Sequence, residues 1–339
     1  MPIKIKNLSG SVQSLLQPDI GQVIYVVDSD YRTDVQGWSQ ADGTGPLDLY
    51  KERNHGKVFR TGDYTSDALC IQDAIDNMVD FRGDTLYFTP GAYSVGTALA
   101  INVPDARWVG PTVSHPTLAR ASLTATVDLA FAPTAASDRF ELGNLQLVPL
   151  TAGTMWDCAA LSGFHGHDLF LNWDGIAAST STVGFVFATT AEFINFDNIY
   201  AWVDGAQGPL VRAAGIIKGL KVSNLQVFLE AGTYATALDL AGVGIAHFDV
   251  GPVSITGGGT AMTSLITLAD KTTDSSSGYV HNVRSSSKGP AAGSLAVPTT
   301  DTTTVDIVDC WRAVAVDTAQ PTFTSGANIT WESGVPYTG

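Results

Sequence analysis

A short pattern recurs at regular intervals in this chain: an apolar residue, any residue, Asn or Asp, then a second apolar residue. The copies are Leu142-Gly143-Asn144-Leu145, Phe196-Asp197-Asn198-Ile199, Val222-Ser223-Asn224-Leu225, Val280-His281-Asn282-Val283 and Ile307-Val308-Asp309-Cys310. A weaker copy is Gly166-His167-Asp168-Leu169. The steps are 30 positions from Asp168 to Asn198, 26 to Asn224, 58 to Asn282 and 27 to Asp309, with a degenerate copy near Gly251 dividing the long gap. A mean step of about 27 residues is the period of a solenoid coil. Inward side chains of a strand recur every two residues, yet the flanking apolar residues here stand three apart. The inward phase therefore breaks once between them, as at a sharp corner, and Asn and Asp tolerate the left-handed conformation that a corner needs.

Asn144, Asp168, Asn198, Asn224, Asn282 and Asp309 thus read as structural corners whose side chains stack into a ladder along the solenoid. Each coil carries a second strand-like run: Thr154–Leu161, Val183–Ala188, Leu210–Ala214, Ala237–Leu240, Leu265–Leu268 and Leu295–Val297. Short strands separated by Gly-rich turns predict an all-β right-handed parallel β-helix over residues 61–334. An open solenoid end would expose core and unpaired backbone. Ser66–Asp80 supplies a helical lid for it, with Leu69, Ile71, Ile75, Met78 and Val79 as the apolar stripe and Ser66 or Asp67 as cap.

The stretch Gly62-Asp63-Tyr64-Thr65-Ser66-Asp67-Ala68-Leu69-Cys70-Ile71-Gln72-Asp73-Ala74-Ile75, followed by Leu86-Tyr87-Phe88-Thr89-Pro90-Gly91-Ala92-Tyr93, resembles the opening of tailed-bacteriophage tailspikes. More broadly it is similar to pectate-lyase-like β-helix proteins. Cys70 stands where Ala is usual, and the proline turn is short. The resemblance covers residues 62–93 in motif and the rest in coil period alone. It implies a homotrimeric virion protein, made in the host cytoplasm, that contacts other tail or capsid proteins and a host surface polysaccharide. Such a protein serves host adsorption and receptor binding; an endoglycosidase tailspike and a capsid-decorating head protein are the alternatives. The motif reports fold and not reaction. Residues 1–60, with Ile3, Ile5 and Leu8 alternating and Val23–Val27 as a strand, are then either a virion-docking segment or extra strands on the first coil. Residues 335–339 are a short tail after a last partial coil at Asn328–Trp331, and the shortness of that end lowers the expectation of enzymatic activity.

Counting from the corners places candidate chemistry. Six positions on lie Asp174, Asp204 and Glu230. On adjacent coils about 4.8 Å apart, such carboxylates would suit a retaining glycosidase, and the outer two, about 9.6 Å apart, sit at the edge of the inverting geometry. The same residues belong to Asp174-Gly175, Asp204-Gly205 and Glu230-Ala231-Gly232, which are ordinary turn sequences. Positions two and four after the corner carry Phe170, Tyr200, Trp202 and Phe228, with Trp311 further along. This outward aromatic column fits a trimer interface or a stacking platform for carbohydrate. Trp173, five after the corner, falls inward with Val203 and Leu229.

The remaining signals narrow the class. A net charge of −15, with eighteen scattered basic residues, excludes a nucleic-acid surface. Cys70, Cys158 and Cys310 are too far apart for a disulfide framework or zinc site and read as free buried thiols. No metal or other cofactor is expected: His165, His167 and Asp168 read as a solvated corner, and Gly257-Gly258-Gly259 lacks the strand-to-helix setting of a phosphate loop. No signal segment and no apolar run of about 20 residues is present, so membrane insertion is not expected.

Overall fold

The computed structural model describes residues 21–28, 57–111, 121–133, 138–149, 152–158, 161–176, 179, 182–188, 190–204, 207–240, 247–258, 261–268, 276–285, 296–298, 303–308, 311–312 and 329–332. Over these the chain is an all-β solenoid in which every strand pairing is parallel. Three ladders run its length. The first face stacks Ile24, Leu86, Trp108, Leu142, Gly166, Phe196, Val222, Val250, Val280, Ile307 and Trp331 in register. The second stacks Tyr93, Leu123, Leu147, Leu171, Ala201, Val227, Ile255, Ser285 and Arg312. The third stacks Leu99, Phe131, Trp156, Phe185, Val211, Leu238, Ile266 and Ala296.

The corner between the first two faces is where the repeat places it. Asn144, Asp168, Asn198, Asn224 and Asn282 all have positive φ, from 52° to 56°. The backbone turns there while its ladder continues, so Ile194–Asp204 and Leu220–Ala231 each run through the corner as one strand. Side chains bridge coils: the Asn198 amide donates to Asp168, and the Asn224 amide to Asp197 at 3.3 Å. Asp309 lies outside the described residues. The third-face strands Thr154–Asp157, Val183–Phe187, Val211–Ala213, Thr233–Leu240, Ala261–Leu268 and Ala296–Pro298 fall on the second runs read from the sequence.

Between the faces lies a continuous aromatic stack. Trp156 is fully buried, lies parallel to Phe131 with centroids 4.5 Å apart, and meets Trp108 edge-on at 5.7 Å. Large rings need small neighbours. Gly278 sits directly over Phe248, and a Cβ there would lie 1.8 Å from the ring. Trp173, Val203 and Leu229 are core, as their count from the corner requires.

The capping helix spans Asp67–Asp76, with the Ser66 hydroxyl accepting from the Leu69 N–H at 3.3 Å. It buries Ala68, Cys70, Ile71, Ala74 and Ile75, while Met78 is buried just beyond it. Leu69 and Val79 are instead 52% and 47% exposed, which corrects the expected stripe. The small buried residues let the helix sit close on the first coil. Its polar side chains then finish that coil's open edge. Gln72 exchanges two hydrogen bonds with the Ala100 backbone (2.9 and 3.2 Å), and Asp67 accepts from the Ser94 N–H at 2.7 Å. Satisfying these edge groups removes the liability of an unpaired strand.

Of residues 1–60, only 21–28 and 57–60 are described. Val23–Val27 pairs with Thr85–Phe88 on one side and Lys57–Arg60 on the other, extending the first face. The Pro-Gly turn serves this junction: Ala92 N–H donates to the Asp28 carboxylate at 2.8 Å, which fills the space a Cβ on Gly91 would need. The fully buried Tyr93 hydroxyl lies 3.0 Å from both Val26 O and Thr89 Oγ1. Residues 1–20 and 29–56, and the tail 335–339, lie outside the described residues. Cys70 and Cys158 are buried and free, and burial pushes the Cys70 thiol up to about 12; Cys310 lies outside the described residues.

Candidate functional site

The second face carries the outward aromatics. Phe170 pairs with Tyr200, and Trp202 with Phe228, in the register counted from the corners. The ring pairs are 5.2 Å and 4.9 Å apart. Tyr200, Trp202 and Phe228 are partly exposed, but Phe170 is only 3% exposed, so it does not contribute to an open patch as expected. Trp311 lies on the strand Trp311–Arg312, opposite Arg284.

Asp204 and Glu230 are not paired across their coils. Asp174 lies in a turn, its own N–H held by the Asn172 side chain at 3.1 Å and followed by Gly175 at φ 68°. The register between the next two coils slips by one after Val203–Leu229, so Asp204 stands opposite Ala231 and not Glu230. Glu230 is therefore a bulge residue, and its carboxylate accepts a hydrogen bond from the Trp202 indole N–H. That bond fixes the Trp202 ring on the face.

Next to the aromatics the same outward column turns polar: Tyr200 pairs with Gln226, Gln226 with Ser254, and Ser254 with Arg284. Here the corner changes too. Where neighbouring coils place Asn224 and Asn282, this coil has Gly251-Pro252, so the corner amides flank a coil that has none. A groove of about 400 Å³ opens there, lined by Asn224, Gln226, Pro252, Ser254, Asn282 and Arg284 among others.

A second polar cluster lies on the first face. The His167 ring lies flat over Gly143 of the preceding coil, where a Cβ would stand 2.4 Å from Cε1 and Nε2. That placement sets Nε2 3.2 Å from Glu141 and Nδ1 2.9 Å from Asp168. Arg107 reaches Glu141 from the other side at 3.3 Å. The hydrogen bond to Glu141 raises the His167 pKa to about 9, and the same bond lowers that of Glu141. His165, beside it, is shifted down by burial and by the His167 charge. A related contact recurs: His281 lies against Gly251, where an added Cβ would meet its carbonyl oxygen at 2.0 Å before its ring, its Nε2 lies 3.2 Å from Asp249, and its ring stacks on Tyr279 at 4.8 Å. Sequence reasoning read the first of these as a solvated corner; the signal was the acid-apolar-Gly triplet one coil before an aromatic-x-His triplet. Both are brackets between coils, and no group of three metal ligands occurs among the described residues.

No protein-family model matches the chain. No curated protein matches it in sequence. Among solved structures it is similar to ORF18 of Geobacillus virus E2, at 11% identity and a TM-score of 0.42, covering 86% of this chain and 64% of that one. The chain thus spans a little under two thirds of that protein's length.

Proposed function

We propose that the protein is a tailspike-like appendage of a tailed-phage virion that adsorbs to a host surface polysaccharide through the second face. The observation that carries this reading is the joining of Tyr200, Trp202 and Phe228 to the Gln226–Ser254–Arg284 row on one rigid ladder. Partly exposed rings beside planar amides and hydroxyls suit sugar, whose rings offer both apolar C–H faces and hydroxyl edges. A permanent subunit interface is more apolar than this. A homotrimer, implied by the resemblance at residues 62–93, would then keep this face outward. The endoglycosidase alternative needs Asp174, Asp204 and Glu230 on one substrate; Asp204 standing opposite Ala231 favours adsorption over hydrolysis. No helix among the described residues is long and apolar enough to cross a membrane.

The test is competition: purified protein should block adsorption of its phage to host cells, and Trp202→Ala should block at least tenfold less well while keeping the native circular dichroism spectrum. Equal blocking by Trp202→Ala would overturn the assignment of this face. Release of reducing sugar that is lost in Asp204→Asn would restore the hydrolase reading, and crosslinking to capsid protein alone would favour a head decoration.

A further inference from the structure

Trp202 stands among carboxylates. It pairs with Asn172 on one neighbouring coil and with Phe228 on the other, whose ring centroid lies 4.9 Å away at 57°. The register slip after Val203–Leu229 takes Glu230 out of the ladder, and a bulge residue of this kind is free to be re-aimed. Glu230 is aimed back one coil, where it accepts from the Trp202 indole N–H at the nitrogen edge of the ring. It is exposed, and its Oε1 has no partner among the described residues. Asp204, two residues after Trp202 on the same strand, faces the same side and is partly exposed. The second-face rungs 145–148, 170–174, 199–204, 225–231 and 253–257 hold Asp174, Asp204 and Glu230 but no Lys or Arg.

We propose that Trp202 and Glu230 form a subsite for a neutral pyranose, its C–H face laid on the indole and its hydroxyls donating to the Glu230 carboxylate. The face of an aromatic ring is the negative end of its quadrupole and attracts C–H hydrogens. A carboxylate offers about four acceptor sites, and the indole uses one. Hydroxyls on adjacent ring carbons can fill the others, in bonds roughly twice as strong as those between neutral groups. A sugar bearing its own carboxylate or phosphate would bring a like charge against Glu230 and Asp204. No cation on those rungs offsets it, and the chain as a whole stands at −15. An apolar protein surface would bury Glu230 without supplying donors, which is costly. The inference rests on the adsorption reading for its biological setting and adds the class of sugar recognised.

The experiment is calorimetric titration of the full chain with two matched pairs of hexasaccharides: galacturonate and mannuronate hexamers, and each with its carboxyls reduced to alcohols. At least one reduced, uncharged member should bind. Its acidic parent should bind about tenfold more weakly, or worse, at about 0.1 M salt, and the gap should close towards about 1 M as the repulsion is screened. Glu230→Gln keeps an oxygen for the indole N–H. It should bind the uncharged probe about threefold more weakly and lessen the preference over the acidic parent, with the circular dichroism spectrum unchanged. An acidic parent that binds as tightly as its reduced partner, or an unchanged preference in Glu230→Gln, overturns the neutral-sugar assignment and leaves polysaccharide adsorption standing. Failure of both uncharged probes overturns the Trp202–Glu230 subsite, while the Trp202→Ala competition judges the adsorption reading separately.

Discussion

Gly143→Ala converts the inter-coil bracket into a measurable pH effect. The backbone at Gly143 does not need glycine: its φ is not positive, and the residue is an ordinary first-face strand position. What it supplies is room. An added Cβ would meet His167 Cε1 and Nε2 at 2.4 Å and no backbone atom among its three nearest neighbours, so the imidazole must swing away and lose Glu141. In the native chain the folded pKa of His167 is raised from 6.5 to about 9. A raised folded pKa means that the stabilisation is fully present below about pH 6.5 and is lost as pH rises through about 9. At ~1.4 kcal/mol for each tenfold change, that gap sets a ceiling of about 3 kcal/mol, and solvent screening at this partly exposed pair brings it to roughly 1–2 kcal/mol.

Ala also restricts the unfolded chain by about 0.4–1 kcal/mol relative to Gly at every pH. The variant should therefore be less stable than native by roughly 0.5–1 kcal/mol at pH 6 and equal or slightly more stable above pH 10. For a chain of this length, that is a fall of about 1 °C in melting temperature at pH 6, reversing sign at high pH. The direct assay is the Cε1 proton resonance of His167 against pH. It should titrate near 9 in the native protein and near 6.5 in Gly143→Ala, with His165 moving up as its charged neighbour leaves. A native His167 that titrates at 6.5 or below, or a variant whose melting temperature follows the native pH profile, would refute the reasoning.

Two other substitutions probe different parts of the fold. Gly278→Ala places a methyl 1.8 Å from the fully buried Phe248 ring and should cost about 3 kcal/mol by overpacking, read as a lower denaturation midpoint and recovered in part by adding Phe248→Leu. Phe193 is 74% exposed at φ 56°, in line with Gly163 at φ 71° on the preceding coil; Phe193→Gly should leave stability unchanged or raise it by up to about 1 kcal/mol, and a fall in melting temperature above about 2 °C would show that the ring has a hidden partner.

The corners were legible because Asn and Asp are tied to one backbone conformation, and a fixed coil period repeats the evidence. Counting outward from them places the fifth residue in the core, as Trp173, Val203 and Leu229 show, although Phe170, two after its corner and expected outward, is only 3% exposed. It fails at the sixth, where a bulge adds one residue. That bulge had a trace in the sequence: glycine follows the corner by seven positions at Gly175 and Gly205 but by eight at Gly232. The helical lid was legible in place but not in face, since Ala68, Cys70 and Ala74 pack the interface and carry too little apolar mass to define a stripe. Contacts along the solenoid axis were legible where a repeat carries them, in the corner ladder and the aromatic column, but not where they depend on a gap in a neighbouring coil. Whether His167 reaches Glu141 depends on a missing side chain at Gly143, 24 positions earlier, which no local pattern expresses.

The candidate site lies where the repeat breaks. Corner amides spend hydrogen bonds on carboxylates of the preceding coil, as Asn198 does on Asp168 and Asn224 on Asp197. Replacing one amide by Pro252 removes a member of the stack, and the Asn282 amide turns to His281 Nδ1 at 3.0 Å within its own coil. The backbone ladder is nonetheless unbroken: Leu225 N–H donates to Pro252 O at 3.0 Å and Val253 N–H to Asn282 O at 3.2 Å. The coil can therefore give up its corner side chain without giving up its place in the sheet. Local departures from an otherwise consistent pattern concentrate at functional sites, because the surrounding structure holds them in place. In this solenoid the ladder supplies the rigidity, and the one altered corner among those described from Asn144 to Asn282 opens the surface that the aromatic column leads into.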